Sequence, residues 1–566
     1  MQAQGDDGRW TTIATRVSGG SRSVRLEDAT SVTAVRGKPL RARVSSYRGA
    51  EATTSPVFLP PSVSAPMVQE GDPARLSVTT AGAVRVVRFF VDGVLVAEDS
   101  AASWEATVHP RVGHHDVVAR VVGPLESVTS PVVGLEHAAS PIGVDSGVAE
   151  GFAVERVQSG LELPTNAAST PDGAVLVAGK GGQVFVVEPT TEVGEVEWSP
   201  PRVVLDLTAE VADDGDAGLT GLAVDPDFAE NGYVYLAYAL DAMVDGARSQ
   251  QVARFTWDGT DLQPASRHVV LGSVTGAACS DPANIRTPDC VPLIGEAHTI
   301  GDLAFDDAGR LLVGVGDGAL YVTPDGLPSR FEAWRAQDPE VLAGKVLRID
   351  PGTGRGVPAN PLYTGDGSSN ASRVLALGLR NPFRFTVYGD QLVIGDVGEN
   401  AWEEIDVVPL GDGEDGVVRN FGWPCREGET DTELGDVSAS DSPWHGCLAV
   451  RAEDGSHAPA HTYAHTVDGG SVTGGAFLDS PGYPDGVRGR YVFGDYAQMF
   501  IRAADLTSDG DVSAVSDLAD ATAAGGPVKF FTGPDGWVWS VSIVTGSLER
   551  IRWTGEPTVD TCPVGS

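Results

Sequence analysis

One pattern recurs six times after residue 150: a turn, then a short apolar run suited to a strand. Its copies begin at Pro171-Asp172-Gly173 before Val175-Leu176-Val177 and at Pro226-Asp227-Phe228 before Tyr233-Val234-Tyr235. They continue at Asp307-Ala308-Gly309 before Leu311-Leu312-Val313 and at Tyr388-Gly389-Asp390 before Leu392-Val393-Ile394. The last two are Arg488-Gly489-Arg490 before Tyr491-Val492-Phe493 and Pro534-Asp535-Gly536 before Trp537-Val538-Trp539. From residue 171 to residue 534 the mean spacing is about 73 residues, enough for one sheet of several strands. Such a sheet cannot bury both faces alone, so it must pack against its own copies. The pattern predicts an all-β chain with a six-bladed β-propeller over 150–555. A strand near Phe152 to Val157 is expected to close the ring against Leu548 to Trp553.

Ahead of the propeller a second, longer repeat is visible. Leu40-Arg41-Ala42-Arg43-Val44 leads to Thr54-Ser55-Pro56-Val57, and Val117-Val118-Ala119-Arg120-Val121 leads to Thr129-Ser130-Pro131-Val132. This predicts a partial immunoglobulin-like sandwich over 1–57 and a complete one over 58–140, with 556–566 as a tail. The Asp92-Gly93 turn between Val84–Val91 and Val94-Leu95-Val96 fits a hairpin of the second sandwich. His109, His114 and His115 read as loop histidines rather than metal ligands.

Composition narrows the partners. A formal net charge of −39 repels nucleic-acid phosphate and anionic lipid, and only four lysines occur: Lys38, Lys180, Lys345 and Lys529. No apolar run is long enough for a membrane span. The cysteines fall as Cys279 with Cys290, Cys425 with Cys447, and Cys562 alone, with no Cys-x-x-Cys. Two local disulfides and an extracellular or periplasmic protein are expected, although Met1-Gln2-Ala3-Gln4-Gly5-Asp6 offers no basic region followed by an apolar run, so no signal peptide is expected in this stretch.

Four segments are richer in special residues than blade loops need. Glu296-Ala297-His298-Thr299-Ile300-Gly301-Asp302 places a histidine, a base near neutral pH, just before a strand. Gly378-Leu379-Arg380-Asn381-Pro382-Phe383-Arg384-Phe385 sets a guanidinium fork beside an amide, suited to a carboxylate or quinone oxygen. Asp396-Val397-Gly398-Glu399-Asn400-Ala401-Trp402-Glu403-Glu404-Ile405, followed by Asn420-Phe421-Gly422-Trp423-Pro424, clusters the hard oxygen ligands that calcium takes. Ser471-Val472-Thr473-Gly474-Gly475 reads as a tight strand entrance. His457, His461 and His465 recur every four residues, but Pro459 interrupts a helix, so a loop is expected there.

Taken together, these segments resemble the glucose/sorbosone dehydrogenase family over roughly 155–553. The resemblance is carried also by Gly218-Leu219-Thr220-Gly221-Leu222-Ala223 with Asp225-Pro226-Asp227-Phe228, by Gly344 to Asp350, by Asn360-Pro361 and by Gly494-Asp495-Tyr496. It implies a six-bladed propeller that oxidises aldose sugars or related polyols with pyrroloquinoline quinone (PQQ) and calcium. His298 would be the base, Arg380 and Asn381 would hold the quinone, and Asp216 stands where a pocket glutamine is implied. The carbonyls of Gly398 and Glu399 would face the cofactor's calcium, while Glu404 and the Phe421 carbonyl would serve a structural calcium. Departures concern the cations a tricarboxylate needs: Ala497 replaces an implied lysine, and Gly526, Pro527 and Val528 replace implied arginines, with Arg502 or Lys529 as substitutes. The resemblance extends to hedgehog-interacting proteins, which implies the alternative of a non-catalytic, calcium-stabilised propeller binding polysaccharide or protein at its mouth.

Overall fold

A computed structural model describes residues 147–554, apart from 192–195, 242–247, 281–285, 294–296, 319–332, 412–416, 433–446, 453–454, 467–468 and 521–522. Before residue 147 it describes strand paths and scattered side chains between 76 and 121. The chain divides into two units, Met1–Val144 and Asp145–Ser566. In the first, Ala74–Thr79 pairs with Ser62–Ser64 and Glu105–Val108, while Val86–Val91 and Gly113–Val122 anchor a second sheet. Leu76 and Val78 from one sheet pack with Val87, Phe89, Val117, Ala119 and Val121 from the other. The immunoglobulin-like reading of 58–140 stays a proposal resting on that facing pair of sheets. Residues 1–57 are described only as short strands, and the side chains of His109, His114 and His115, the tail 556–566 and Cys562 lie outside the described residues.

The second unit is a ring of six blades of four antiparallel strands each, blade 3 carrying Arg419–Asn420 as a fifth strand parallel to Val374–Leu377. Their innermost strands are Pro164–Ser169 (blade 1), Leu219–Val224 (blade 2), Ile300–Phe305 (blade 3), Pro382–Tyr388 (blade 4), Val472–Phe477 (blade 5) and Pro527–Thr532 (blade 6). Each packs against the next, and blade 6 packs against blade 1. The six recurring turns are the hairpins that join the first and second strands of each blade. All six contain or end on a glycine at positive φ, among them Gly173 at +89° and Gly536 at +80°, a region that costs other residues strain. Second strands such as Val175–Gly179 and Leu311–Val315 are buried along their whole length because blades cover both faces. That explains apolar runs where a one-sided sheet would alternate. Phe152–Gln158 closes the ring as expected, pairing Phe152 with Trp553 and Gln158 with Leu548.

Every innermost strand carries a bulge near its start. Pairing resumes at Asn166, Gly221, Asp302, Arg384, Gly475 and Lys529 in blades 1 to 6. Bulges bend a strand and re-aim its side chain, and here four of the six positions are polar and buried. In ring order, blade 3 faces blade 6, and the Lys529 ammonium donates to Asp302 across the hub. Asn166 Nδ2 donates to the other Asp302 oxygen at 2.9 Å. Arg384 donates to the carbonyls of Thr165 (2.6 Å), Thr220 (3.1 Å), Val528 (2.8 Å) and Gly301, which belong to four other blades. Blades 2 and 5 contribute glycines at this level, and a Cβ on Gly474 would meet the Arg384 carbonyl at 2.6 Å.

Both expected disulfides are present, Cys279–Cys290 and Cys425–Cys447. Among the described residues no helix is long and apolar enough to cross a membrane. Removing the guanidinium would leave several buried carbonyls unpaired at about 1–3 kcal/mol each. Arg384→Met is therefore expected to lower unfolding free energy by roughly 3 kcal/mol or more, and Arg384→Lys by less, in urea titrations. Equal stability of wild type and Arg384→Met would contradict the hub assignment.

Candidate active site

The connections entering the innermost strands and the turns between second and third strands share one end of the ring, opposite the six hairpins. His298 sits at this mouth, two residues before its strand, with φ of +55° and 4% exposure. Its backbone N–H donates to Asp216 Oδ2 at 3.0 Å, so the structure brings Asp216 to the expected base. The glycine at 316 lets the neighbouring turn approach, since a Cβ there would meet the His298 carbonyl at 2.4 Å.

That turn supplies a residue the sequence reading missed. Asp317, fully buried, holds His298 Nδ1 at 2.6 Å through Oδ1. Its Oδ2 accepts the Trp423 indole N–H at 2.8 Å, and its own N–H donates to the Arg380 carbonyl at 2.8 Å. With a carboxylate on Nδ1, the neutral imidazole carries its proton there and presents Nε2 as the acceptor. Gly316-Asp317-Gly318 directly after the apolar strand Leu311–Val315 was the available signal, but only the fold shows its partner.

Arg380 and Asn381 hang from Asp396, whose oxygens accept both backbone N–H groups at 2.9 and 2.6 Å. The Arg380 guanidinium lies 5.4 Å from the centre of the Trp423 ring and donates to the Val397 carbonyl at 2.9 Å. Its Nε is buried without a hydrogen-bond partner among the described residues. Trp423 thus touches the His298–Asp317 pair with its edge and Arg380 with its face. The Glu399 carboxyl is half-buried nearby, and burial raises it above the ordinary glutamate value while Arg380 pulls the other way.

Gly398 and Glu399 begin a loop fixed by another residue the sequence reading missed. Glu427 Oε1 accepts the N–H groups of Glu399, Asn400, Ala401 and Trp402 at 2.7–3.2 Å. Glu427 follows Cys425, so the Cys425–Cys447 disulfide anchors the segment bearing both Trp423 and Glu427.

Glu404 meets Asp396 and Asp406 in a buried cluster whose carboxylate oxygens lie within 4.8 Å of one another. Asp406 is fully buried, and neither of its oxygens has a hydrogen-bond partner among the described residues. Burial and mutual repulsion raise the carboxyls of Glu404 and Asp406 well above their ordinary values, and burial raises Asp396 as well. Phe421 packs beside Ile394 and Val408, which lie on the same strands as the cluster, and its N–H is held by the Leu377 carbonyl.

The substitute cations are engaged elsewhere. Lys529 is committed to Asp302 in the hub, and Arg502 pairs with Asp517 at 2.8 Å on the third strand of blade 5. Lys180 is surrounded by Asp213, Asp214 and Asp216, and Arg248 pairs with Asp214. The loop expected at the three histidines is corrected in part. His461–Ala464 is the edge strand of blade 4, because its backbone pairs with Trp402–Ile405. His457 contacts Arg419, His461 lies against Phe493, and His465 contacts Glu403 at 2.6 Å, so the three have separate partners.

Comparison with known proteins agrees with this architecture. The chain is 25% identical over 389 residues to the HIPL1 protein of Arabidopsis thaliana, covering 61% of this chain and 52% of that one. It is 25% identical over 291 residues to quinoprotein glucose dehydrogenase B of Acinetobacter calcoaceticus, covering 50% and 54%. The chain thus spans about half the length of these curated relatives. A solved soluble aldose sugar dehydrogenase from Escherichia coli superposes with a TM-score of 0.51 at 20% identity, covering 71% of this chain and 99% of that one, a likeness of fold. The Glucose / Sorbosone dehydrogenase family matches residues 161–547, and the chain belongs to that family.

Proposed function

We propose that the mouth oxidises an aldose sugar or related polyol, in an exported protein, with PQQ and calcium. The reading rests on one observation above others: a His298–Asp317 pair linked through Trp423 to a guanidinium with an unused N–H. His298 Nε2 would take the proton of the reacting hydroxyl, and Asp317 would hold the ring and stabilise the imidazolium that forms. Arg380 and Asn381 would hold the oxygen end of the quinone. The unpaired Arg380 Nε fits an oxygen acceptor there. When bound, PQQ supplies the two-electron acceptor that the side chains lack. At the carboxylate end the fit is poorer, since Asp216 and Glu399 add negative charge and Ala497 and Val528 offer none of the opposite sign. Weak binding follows, and the same shortage supports a second reading: a non-catalytic propeller binding carbohydrate or protein at its mouth.

The metal reading has separate support. Three buried carboxylates with two unpaired oxygens need protons or a cation, and calcium takes oxygen ligands of this kind. We assign the structural calcium to Glu404, with Asp396 and Asp406 as additional ligands and the Phe421 carbonyl as the further ligand the family resemblance implies. The Gly398 and Glu399 carbonyls would meet the cofactor's calcium.

Titration with PQQ and calcium, read by calorimetry and followed by dye reduction on a panel of aldoses, separates the two readings. Saturable binding at roughly 0.1 mM PQQ or below with turnover supports the dehydrogenase reading, and no binding at that level removes it. His298→Ala is expected to lower kcat about 100-fold or more, and Asp317→Asn similarly, with PQQ affinity little changed. Independently, millimolar calcium should raise Tm over the chelator-treated protein. Asp406→Asn should reduce that increment, and an unchanged increment would move the ion elsewhere.

A further inference from the structure

The hub divides the ring's axis. Beyond it, at the hairpin end, all six innermost strands line a cavity of about 310 Å³ that lies on the other side of the hub from His298. Lys529 lines its inner end, and the Lys529 ammonium pairs with Asp302, which is buried behind the lining. Lys529 is buried, with 8% of its surface exposed, and its ammonium has three N–H groups for which Asp302 is the one partner described. Asp302 is already shared with Asn166 and with the Phe385 and Leu303 N–H groups. Arg384, also in the hub, adds a second positive charge whose partners are neutral carbonyls. The hub therefore sums to one net positive charge in a buried setting, and buried charge without a counter-ion is costly.

The walls are of another character. Tyr388 stacks on Phe477 with ring centres 3.7 Å apart and planes 8° from parallel, and at 37% exposure it keeps part of its surface open. At the rim Asp479 accepts the Tyr388 hydroxyl at 3.4 Å, a long contact that leaves the carboxyl able to accept another donor. A cation at the floor, aromatic walls and an acceptor at the rim define a polarity along the cavity axis.

We propose that this second cavity binds a small aromatic carboxylate, its anionic group on Lys529 and its hydroxylated end toward Asp479. The carboxylate completes the coordination of the ammonium, and the ring lies against aromatic walls where offset stacking adds to burial. A cavity of this size is at the lower bound for ligand pockets, which suits a single ring. The proposal is independent of catalysis at the mouth, because the hub separates the two.

The probe is 4-hydroxybenzoate, with neutral 4-hydroxybenzyl alcohol as its isostere, titrated calorimetrically into the full chain. Saturable binding of the acid, at least about 10-fold tighter than the alcohol, is expected. Thr386→Trp fills the cavity from a half-buried wall position without touching the hub and should abolish binding while leaving Tm and mouth behaviour unchanged. Lys529→Gln should weaken the acid about 10-fold and the alcohol little. His298→Ala should leave both affinities as they were. No saturable binding, equal affinity for acid and alcohol, binding that survives Thr386→Trp, or binding lost in His298→Ala would each overturn the proposal.

Discussion

The ring depends on one guanidinium. Arg384 spends its donors on carbonyls from blades 1, 2, 3 and 6, and sits itself on blade 4. Each blade edge facing the axis has backbone groups that no neighbouring strand can satisfy, and water is largely excluded there. A planar fork with five donors can serve several such edges at once, whereas an ammonium cannot match that geometry. Side chains tie three adjacent pairs of blades: Thr165 Oγ1 donates to the Leu219 carbonyl, Thr220 Oγ1 to that of Ile300, and Thr473 Oγ1 to that of Pro527. The mouth is precise because the hub is. His298 and Asn381 lie three or four residues upstream of hub positions on adjacent strands, so their separation is set by the same ties.

The blades were legible from sequence because a blade is a local object. Its hairpin turns and apolar runs follow one another within about 73 residues, and the disulfide pairs span only 11 and 22. Even the closing strand could be named, since Phe152 to Val157 had no unit of its own. The site was legible less evenly. His298, Arg380, Asn381, Asp216 and Glu404 were reached through motifs and family resemblance, and the fold brings Asp216 to His298. Asp317, Trp423 as its partner, Glu427 and Asp406 were not reached. Their importance lies in contacts 106 residues apart for Trp423 and Asp317, and 25–28 apart for Glu427 and its loop. No period along the chain encodes such meetings. Arg384 was quoted only as part of a motif, because its partners lie 83 to 219 residues away.

Charge behaves in two ways in this molecule. Across the surface the acidic excess is solvated and sets only the general repulsion of anions. Inside, acids are gathered at Asp396, Glu404 and Asp406, and bases are gathered at the hub. The segment around Trp423 and Glu427 reaches from the first of these regions to the mouth. It carries Trp423 to Asp317 and Glu427 to the loop at Gly398, with a disulfide holding its base.

The closing strand has a consequence in time. Glu155 and Arg550 form an ion pair across 395 residues, and Phe152–Gln158 finds its partner only when Ser547–Trp553 exists. On a ribosome adding roughly 5–20 residues per second, the first strand waits about 20–80 seconds with an exposed edge. Until then Arg384 lacks Val528, and Asp302 lacks Lys529. The ring therefore cannot be finished blade by blade: its closure and its hub form together, after nearly the whole propeller has been made.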